Sequence, residues 1–269
     1  MEKVTNQIPK NISLSELTGE QRGLLNKILS PVISLSAFVG FWYLMSLHYN
    51  SQLLLPTPRS TFTAFVLFFK TPDVWKNLLL TLERVLKGFS CAMIIGVPVG
   101  LLMGVSKTAT RMLDPLLGCF RQVPIMAWVP LSIIWFGLGN GPTIFMIALA
   151  GLFSVVLNTI VGVRNISKDY FHAARSMGAG SFSIFRHIVL PGALPDILGG
   201  ARLALGGGWM AVICAEFIAT SAGFGFAMVE AQTRMETEKL LALMILGAFV
   251  GYLMDKCICA AGNVLTQWK

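Results

Sequence analysis

Long apolar stretches that carry almost no charge alternate with short polar segments along most of this chain. About 20 consecutive apolar residues are enough for a helix to cross a bilayer. The pattern therefore predicts an all-α polytopic membrane protein. Its six predicted spans are residues 29–47, 82–105, 115–138, 142–163, 194–220 and 240–263.

Proline and glycine distinguish two of the predicted spans from plain apolar helices. Pro124 and Pro130 lie in the third span and should kink or break it, because proline removes a helix hydrogen bond. Backbone broken in this way survives in a membrane only where protein or a water-filled cavity satisfies its freed polar groups. The fifth span is rich in glycine, and small residues let helix backbones approach closely. We expect it to be an inner helix of the bundle or of a dimer.

The segments outside the spans divide the chain further. Residues 1–28 are polar and lack the apolar core of a signal peptide, so they are interpreted as a cytoplasmic tail with a short interfacial helix. The first transmembrane helix, 29–50, is followed by an external segment, 51–77, whose apolar run is too short to cross a bilayer. That run is predicted to be a surface helix. Five helices and a polar loop at 164–193 make up the remaining core, 78–265.

Composition supports the membrane assignment and disfavours other classes. Hydrophobic residues make up 55% of the 269 residues and charged residues only 13%, with a mean hydropathy of +0.70. A soluble domain carries about 25% charged residues. The net charge is +8, but the basic residues are dispersed, which favours an anionic lipid surface over nucleic acid as the partner.

Basic residues outside the spans are distributed unevenly between the two sides of the predicted bundle. Loops rich in lysine and arginine face the cytoplasm. One side carries Arg59, Lys70, Lys76, Arg234 and Lys239. The other side carries Lys3, Lys10, Arg22, Lys27, Lys107, Arg111, Arg164, Lys168, Arg175, Arg186, Lys256 and Lys269. We therefore predict that both termini and the polar loop are cytoplasmic.

Several enzymatic signatures are absent from the sequence. The chain has no Gly-x4-Gly-Lys-Ser/Thr phosphate loop, no Gly-x-Ser-x-Gly elbow and no His-Glu-x-x-His helix. Its three histidines are scattered, and its five cysteines, at positions 91, 119, 214, 257 and 259, lack metal-ligand spacing. The cysteines are interpreted as buried, unpaired thiols. We expect no catalytic site, no metal and no cofactor in this chain.

The polar loop has a motif with a defined spacing. It reads His172-Ala173-Ala174, three residues, Gly178, nine residues, Ile188, one residue, then Leu190-Pro191. This resembles the cytoplasmic loop of importer-type ABC permeases, in which Glu usually stands where His172 does. The resemblance implies two short helices that sit in a cleft of a separate ATPase subunit. The alternative is an ordinary loop helix packed on the underside of its own bundle.

Physical features of the loop agree with a docking role. Its small residues let a partner approach the backbone, and Phe182, Phe185 and Ile188 recur at helical spacing, which predicts one apolar face on the second short helix. Pro191 should stop that helix and redirect the chain. The predicted coupling residues are His172, Ala173, Ala174, Arg175, Gly178, Ala179, Phe185, Ile188, Leu190 and Pro191.

Further motifs narrow the resemblance. Arg-Gln-Val-Pro at 121–124, Ala-Trp-Val-Pro-Leu at 127–131 and Trp-Phe-Gly at 135–137 are similar to the permeases that import nitrate, bicarbonate, taurine and alkanesulfonates. The resemblance implies a type I ABC importer (MetI-like) permease fold in the bacterial inner membrane. It also implies a permease subunit for a small oxyanion or sulfonate. The implied partners are a second permease copy, two ATPases that bind ATP and Mg, and an external substrate-binding protein.

Six residues are candidates for the translocation pathway: Arg121, Pro124, Trp128, Pro130, Asn158 and Glu216. An ionisable group in a span predicts either a pathway role or, for Arg121, snorkelling to the interface. Glu216 is interpreted as a helix-positioning or gate-side partner, because a carboxylate repels anions. Trp128 is interpreted as an anchor or packing residue, with pore lining as the alternative. Asn158 is predicted to hydrogen-bond another helix.

Other functions remain alternatives at this point. An ion-gradient-driven secondary transporter needs no ATPase, but no inverted repeat is detectable in the six spans. A membrane enzyme is disfavoured because no catalytic constellation can be assembled. A non-transporting scaffold would show no substrate-coupled ATP hydrolysis. An ABC permease for a different small solute fits the same motifs.

Overall fold

The computed structural model describes residues 19–266, with side chains from Leu29 onward. The predicted interfacial helix near the N-terminus lies outside the described residues. The described chain contains eleven α-helices, and no strand occurs among residues 19–266. They are α1 Gly19–Tyr49, α2 Pro58–Phe68, α3 Pro72–Val105, α4 Lys107–Gln122, α5 Trp128–Phe136, α6 Asn140–Arg164, α7 Lys168–Ser176, α8 Ser181–Ile184, α9 Leu190–Ala219, α10 Phe224–Thr233 and α11 Thr237–Leu265. The predicted all-α class is confirmed.

Membrane-spanning length and hydropathy agree with the predicted number of spans. Five helical segments in the described range are long and apolar enough to cross a bilayer: Leu29–Tyr49, Pro72–Val105, Asn140–Arg164, Ser181–Ala219 and Thr237–Leu265. A sixth crossing is possible if the bent pair Lys107–Gln122 and Ile125–Phe136 forms one span, with an angle of 86° between its arms.

The chain divides into two compact units, Met1–Ser60 and Thr61–Lys269. In the first unit, α1 exposes apolar side chains around its whole circumference, and only 6% of its most apolar window is buried. Such a helix is suited to a lipid environment. The Trp42 indole N–H donates to the carbonyl of Pro56 at 3.1 Å, which ties the end of α1 to the segment that follows.

Close helix packing forms the centre of the second unit. Helix α6 lies between α3 and α9, and glycines on both neighbours remove the side chains that would keep the backbones apart. A Cβ atom on Gly100 of α3 would lie 2.6 Å from Thr159 Cβ, and one on Gly200 of α9 would lie 2.8 Å from Asn158 Cβ. The glycine-rich α9 is therefore an inner helix, as its composition predicts.

Proline has different effects at its two positions in the third predicted span. The helix breaks at Pro124, as expected, and a 3₁₀ turn, Ile125–Ala127, leads into α5. Pro130 does not break α5, because it is the third residue of that helix, where the backbone N–H has no partner within the helix. The first arm also begins at Lys107 rather than at 115, with the Ser106 hydroxyl accepting from Ala109 N–H as its cap.

The prediction that Pro191 stops the second loop helix is wrong. Helix α8 continues through a π-helical turn, Phe185–Val189, into α9. The N–H of Leu190 donates to the carbonyl of Phe185, five residues back. This wider turn makes room for the proline ring and does not require the N–H that proline lacks. The loop and the inner helix are therefore one continuous helical segment, Ser181–Ala219.

Candidate functional site

The loop between α6 and α9 begins with the short helix α7. Ser167 caps it, since its hydroxyl accepts the N–H of Asp169 at 3.3 Å, and Asp169 adds an acidic residue to the first turn. Both features stabilise a helix N-terminus. The sequence thus fixes where α7 starts, four residues after α6 ends.

Gly178 ends α7 through its backbone conformation. Its φ is +79°, in the left-handed region that favours glycine. Gly178 N–H donates to Arg175 O and Ala179 N–H donates to Ala174 O, each at 2.9 Å, which is the Schellman pattern at a helix C-terminus. No atom lies within 4 Å of a Cβ built on Gly178. The residue is therefore required by the turn and leaves an open surface above it.

One side of the loop packs on the bundle and the other side is exposed. Ala174, Ile184 and Val189 are buried, and Phe171, Ala179 and Ile188 pack against them. On the other side His172, Ala173 and Arg175 are exposed, and two apolar side chains, Met177 and Phe182, are 81% and 75% exposed. The loop thus presents a mixed basic and apolar surface outward.

The predicted apolar face of the second short helix is only partly correct. Ile188 is half-buried, but Phe185 is 37% exposed and Phe182 is largely exposed. Ile184 and Val189 occupy the buried side instead. The π turn inserts one residue relative to α-helical periodicity, so the spacing of 182, 185 and 188 does not keep these side chains on one face.

A second candidate site is a cavity of about 610 Å³ beside the break at Pro124. It lies between the end of α4, the break, the middle of α6 and the middle of α9. Its lining residues are Arg121, Gln122, Val123, Pro124, Ile125, Ala150, Phe153, Ser154, Leu157, Asn158, Leu203, Gly207, Met210, Ala211 and Cys214. Three of the six predicted pathway residues therefore meet here, namely Arg121, Pro124 and Asn158.

Arg121 gives this cavity its charge. Its side chain is exposed in the last turn of α4, where a cation is favourable next to the helix carbonyl ends. No hydrogen bond or ion pair to Arg121 is found among the residues that the structure describes. Asn158 donates to Ser154 O at 2.8 Å, which is on its own helix and not on another one as predicted. The wall is otherwise mainly apolar.

Trp128 and Pro130 do not line this cavity. Trp128 packs with Phe120 and Phe145 at ring-centroid distances of 5.8 and 6.4 Å, and Trp135 packs with Phe145 at 5.7 Å. Trp128 and Trp135 thus contact the same aromatic ring. These distances are typical of stabilising aromatic packing.

Glu216 is fully buried and also lies outside the cavity. Its carboxylate accepts from Arg84 at 2.5 Å, from the Thr81 hydroxyl at 2.7 and 2.9 Å and from Gly225 N–H at 2.8 Å. Arg84 donates further to Asn140 Oδ1 at 2.7 Å and to Ala222 O at 2.8 Å. The carboxylate is thus paired and hydrogen-bonded, the condition under which a buried charge is tolerated.

This cluster, which we call the closed network, joins α3, α6, α9 and α10. Thr81 and Arg84 are one helical turn apart on α3, so both reach Glu216. A side chain on Gly223 has no space, since its Cβ would lie 2.5 Å from Glu216 Cδ. Sequence reasoning missed Arg84 and Thr81. The sequence did contain a signal for them. An arginine within a predicted span has to pair with another polar group, and Thr81 lies three residues before Arg84, on the same face of the helix.

The cysteines are free, but most are not buried. Cys91, Cys119 and Cys257 are exposed in the described chain, and Cys214 and Cys259 are half-buried. The expectation that they are buried was therefore wrong, since apolar neighbours in the sequence indicate a lipid-facing surface as readily as a protein core. Among the described residues, no group of three or more His, Cys, Asp or Glu side chains could hold a metal ion.

An apolar helical bundle with a broken helix beside an open cavity, and with a loop helix that is exposed on one side, suits a membrane transport permease. The sequence profile described as "Binding-protein-dependent transport system inner membrane component" matches residues 96–264. This range is more than half of the chain. The chain therefore belongs to this family, and it is a permease subunit of an ABC importer in the inner membrane.

Curated relatives agree with this assignment. The chain is 34% identical to the taurine transport system permease protein of Escherichia coli over 85% of each chain. It is 37% identical to a putative aliphatic sulfonates transport permease protein of the same organism over 86% of this chain and 88% of that one. It is 34% identical to the bicarbonate transport system permease protein of Synechococcus elongatus, with 88% and 89% covered.

Solved structures confirm the predicted importer fold. A chain of the MetNI methionine ABC transporter in inward-facing conformations superposes with a TM-score of 0.62 at 20% identity, covering 73% of this chain and 99% of that chain. A chain of an amino acid ABC transporter superposes with a TM-score of 0.58 at 16% identity, with 76% and 97% covered.

Proposed function

We propose that this permease forms a homodimer that imports a small solute of the oxyanion or sulfonate class, delivered by an external binding protein. The observation that carries the proposal is the Arg121 guanidinium at the edge of the 610 Å³ cavity, which has no hydrogen-bond or ion-pair partner among residues 19–266. An unpaired charge in a span is costly unless it serves a pathway or contacts water. Relatives named for taurine, aliphatic sulfonates and bicarbonate support a cargo that carries a sulfonate or oxyanion group.

The outward surface of the loop is the proposed binding site for a cytoplasmic ATPase, which binds ATP and Mg in place of this chain. His172, Ala173, Arg175, Met177 and Phe182 are exposed on that surface. Basic residues are concentrated on the side of this loop and of both termini, which supports a cytoplasmic location for all three.

The continuous helix Ser181–Ala219 supports a direct coupling mechanism. Its first turns belong to the loop, and its middle carries Leu203, Gly207 and Met210 of the cavity wall. A helix transmits displacement along its axis better than a flexible linker. When the two ATPases close on ATP, movement of the loop would therefore reposition the cavity wall and switch its access from one side of the membrane to the other.

The test is uptake by proteoliposomes that contain the permease, its ATPase and its binding protein. We expect ATP-dependent accumulation of at least one of taurine, an alkanesulfonate, nitrate or bicarbonate, and we expect it to persist when ionophores abolish ion gradients. Loss of uptake with ionophores would instead support the secondary transporter. ATP-dependent uptake only of solutes that carry neither a sulfonate nor an oxyanion group would contradict the cargo assignment and leave the importer class intact.

A further inference from the structure

A narrow apolar groove that the proposed mechanism does not use lies between α9 and α11, with α10 at one end. It has a volume of about 420 Å³ and is lined mainly by apolar side chains, including Trp209, Met228 and Met244. Its other end is polar, because Arg202 and Asp255 line it there. That end lies on the side of the bundle from which α9 emerges from the loop.

The groove is long and apolar. On α11 it extends from Met244 to Asp255, roughly 16 Å at 1.5 Å per residue. Its length and apolar wall suit a single extended hydrocarbon chain.

The small residues of α11 pack against aromatic side chains of the same chain. Gly247 and Gly251 have the spacing of a helix-packing motif. However, a Cβ on Gly247 would lie 3.0 Å from Phe224, and one on Gly251 would lie 3.1 Å from Trp209. These glycines therefore seat two aromatic side chains of the same chain and do not indicate a partner helix.

The polar end has unused cationic groups. Arg202 donates to Asp255 through Nε at 2.5 Å and through one terminal nitrogen at 2.8 Å. A guanidinium has five N–H donors, so three remain free at the polar end of the groove, which we call its mouth. Lys256 follows Asp255 in the chain and does not line the groove itself, but its ammonium lies 5.3 Å from the centre of the ring of Tyr252, which does. The mouth thus carries two cations and one carboxylate, a net charge of +1.

We propose that this groove binds one acyl chain of an anionic phospholipid, whose phosphate contacts Arg202 and Lys256. The apolar wall matches the hydrocarbon chain, and the net positive mouth matches an anionic headgroup.

The experiment measures lipid retained by the purified permease in nanodiscs of mixed phosphatidylglycerol and phosphatidylcholine, by native mass spectrometry. Gly206→Leu should fill the groove, because Gly206 lines it and its Cβ would meet no atom within 4 Å. Gly199→Leu is the matched control, since Gly199 is equally open on the same helix but does not line the groove. We expect Gly206→Leu to lose about one retained lipid per protomer and Gly199→Leu to lose none.

A second variant tests the headgroup. Arg202→Gln combined with Asp255→Asn keeps the pair neutral overall while removing the free guanidinium donors. It should lose the preference for phosphatidylglycerol while still retaining a lipid. Equal retention by wild type, Gly206→Leu and Gly199→Leu would overturn the site. A photo-crosslinker at Ala248, which also lines the groove, should label lipid; labelling of a second permease copy would overturn the lipid assignment.

Discussion

Arg84 and Arg121 lie in the same compact unit and end in opposite surroundings. Arg84 is buried and donates to Glu216, Asn140 and Ala222. Arg121 is exposed at the edge of a cavity, with no partner among the described residues. A buried charge that is paired and hydrogen-bonded within the protein's own chain stabilises the fold. A charge that leaves its donors free is available to a ligand or a partner. The exposed side of the loop is likewise available to a partner.

The strongest test of this contrast removes Glu216 from the closed network. Glu216→Ala leaves the Arg84 guanidinium buried and unpaired, which should cost about 3–5 kcal/mol of stability. We expect severe loss of folded protein, measured by membrane abundance and thermal unfolding. Arg84→Met combined with Glu216→Leu should recover most of the abundance, because it removes both charges. If Glu216→Ala were stable and only transport were lost, Glu216 would be a pathway residue after all.

The next largest effect is expected on coupling at the open surface of the loop. Gly178→Asp should leave a folded, inserted protein that no longer couples ATP hydrolysis to uptake, because a side chain at φ +79° strains the turn by roughly 1 kcal/mol and places a charge on the open surface. ATPase co-purification and uptake are the measurements.

Gly180→Asp is the matched control for this variant. Gly180 has no atom within 4 Å of its Cβ either, but its φ is −75°. A charge there tests the surface without the backbone strain, so Gly180→Asp should retain more uptake. Unchanged ATPase association and uptake by Gly178→Asp would show that the loop is not the coupling site.

Arg121→Ala should reduce uptake without affecting assembly. A hydrogen bond to a charged group contributes about 1.5–3 kcal/mol, which corresponds to roughly tenfold to hundredfold weaker transport at low substrate concentration. Arg121→Lys should retain part of the activity. Arg111→Ala, on the same helix but outside the cavity, serves as the control. Normal uptake by Arg121→Ala would reduce Arg121 to an interfacial anchor.

The smallest effect is expected at His172. It is exposed on α7, and truncation of an exposed side chain changes energies by about 0.5 kcal/mol or less. His172→Ala should therefore change uptake by less than about threefold, measured in the same assay as Gly178→Asp. A loss as large as that of Gly178→Asp would mean that His172 makes a specific contact with the ATPase.

Hydrophobic patterning predicted the long apolar helices, but it did not predict α10, Phe224–Thr233, and it began the second span at 82 although α3 begins at Pro72. Glycine at 178 predicts a helix end because only glycine adopts its backbone conformation readily, and Pro124 predicts a break because it lacks an N–H in mid-span. Pro191 has the same chemistry, yet it lies within a continuous helix, since a π turn lies just before it. Ile184 and Val189, at either end of this stretch, are both buried against the bundle, which the local sequence pattern does not show.

The sequence by itself determined the membrane class, most of the spans and the loop motif, because length, hydropathy and residue spacing act locally along the chain. Only the tertiary structure decided which charges are paired. Glu216 and Arg84 are 132 residues apart in the chain, and their contact depends on how α3 and α9 pack beside each other. Arg121 and Asn158 face one cavity for the same reason. The sequence shows that an intramembrane charge exists, and the packing of helices decides whether it is neutralised.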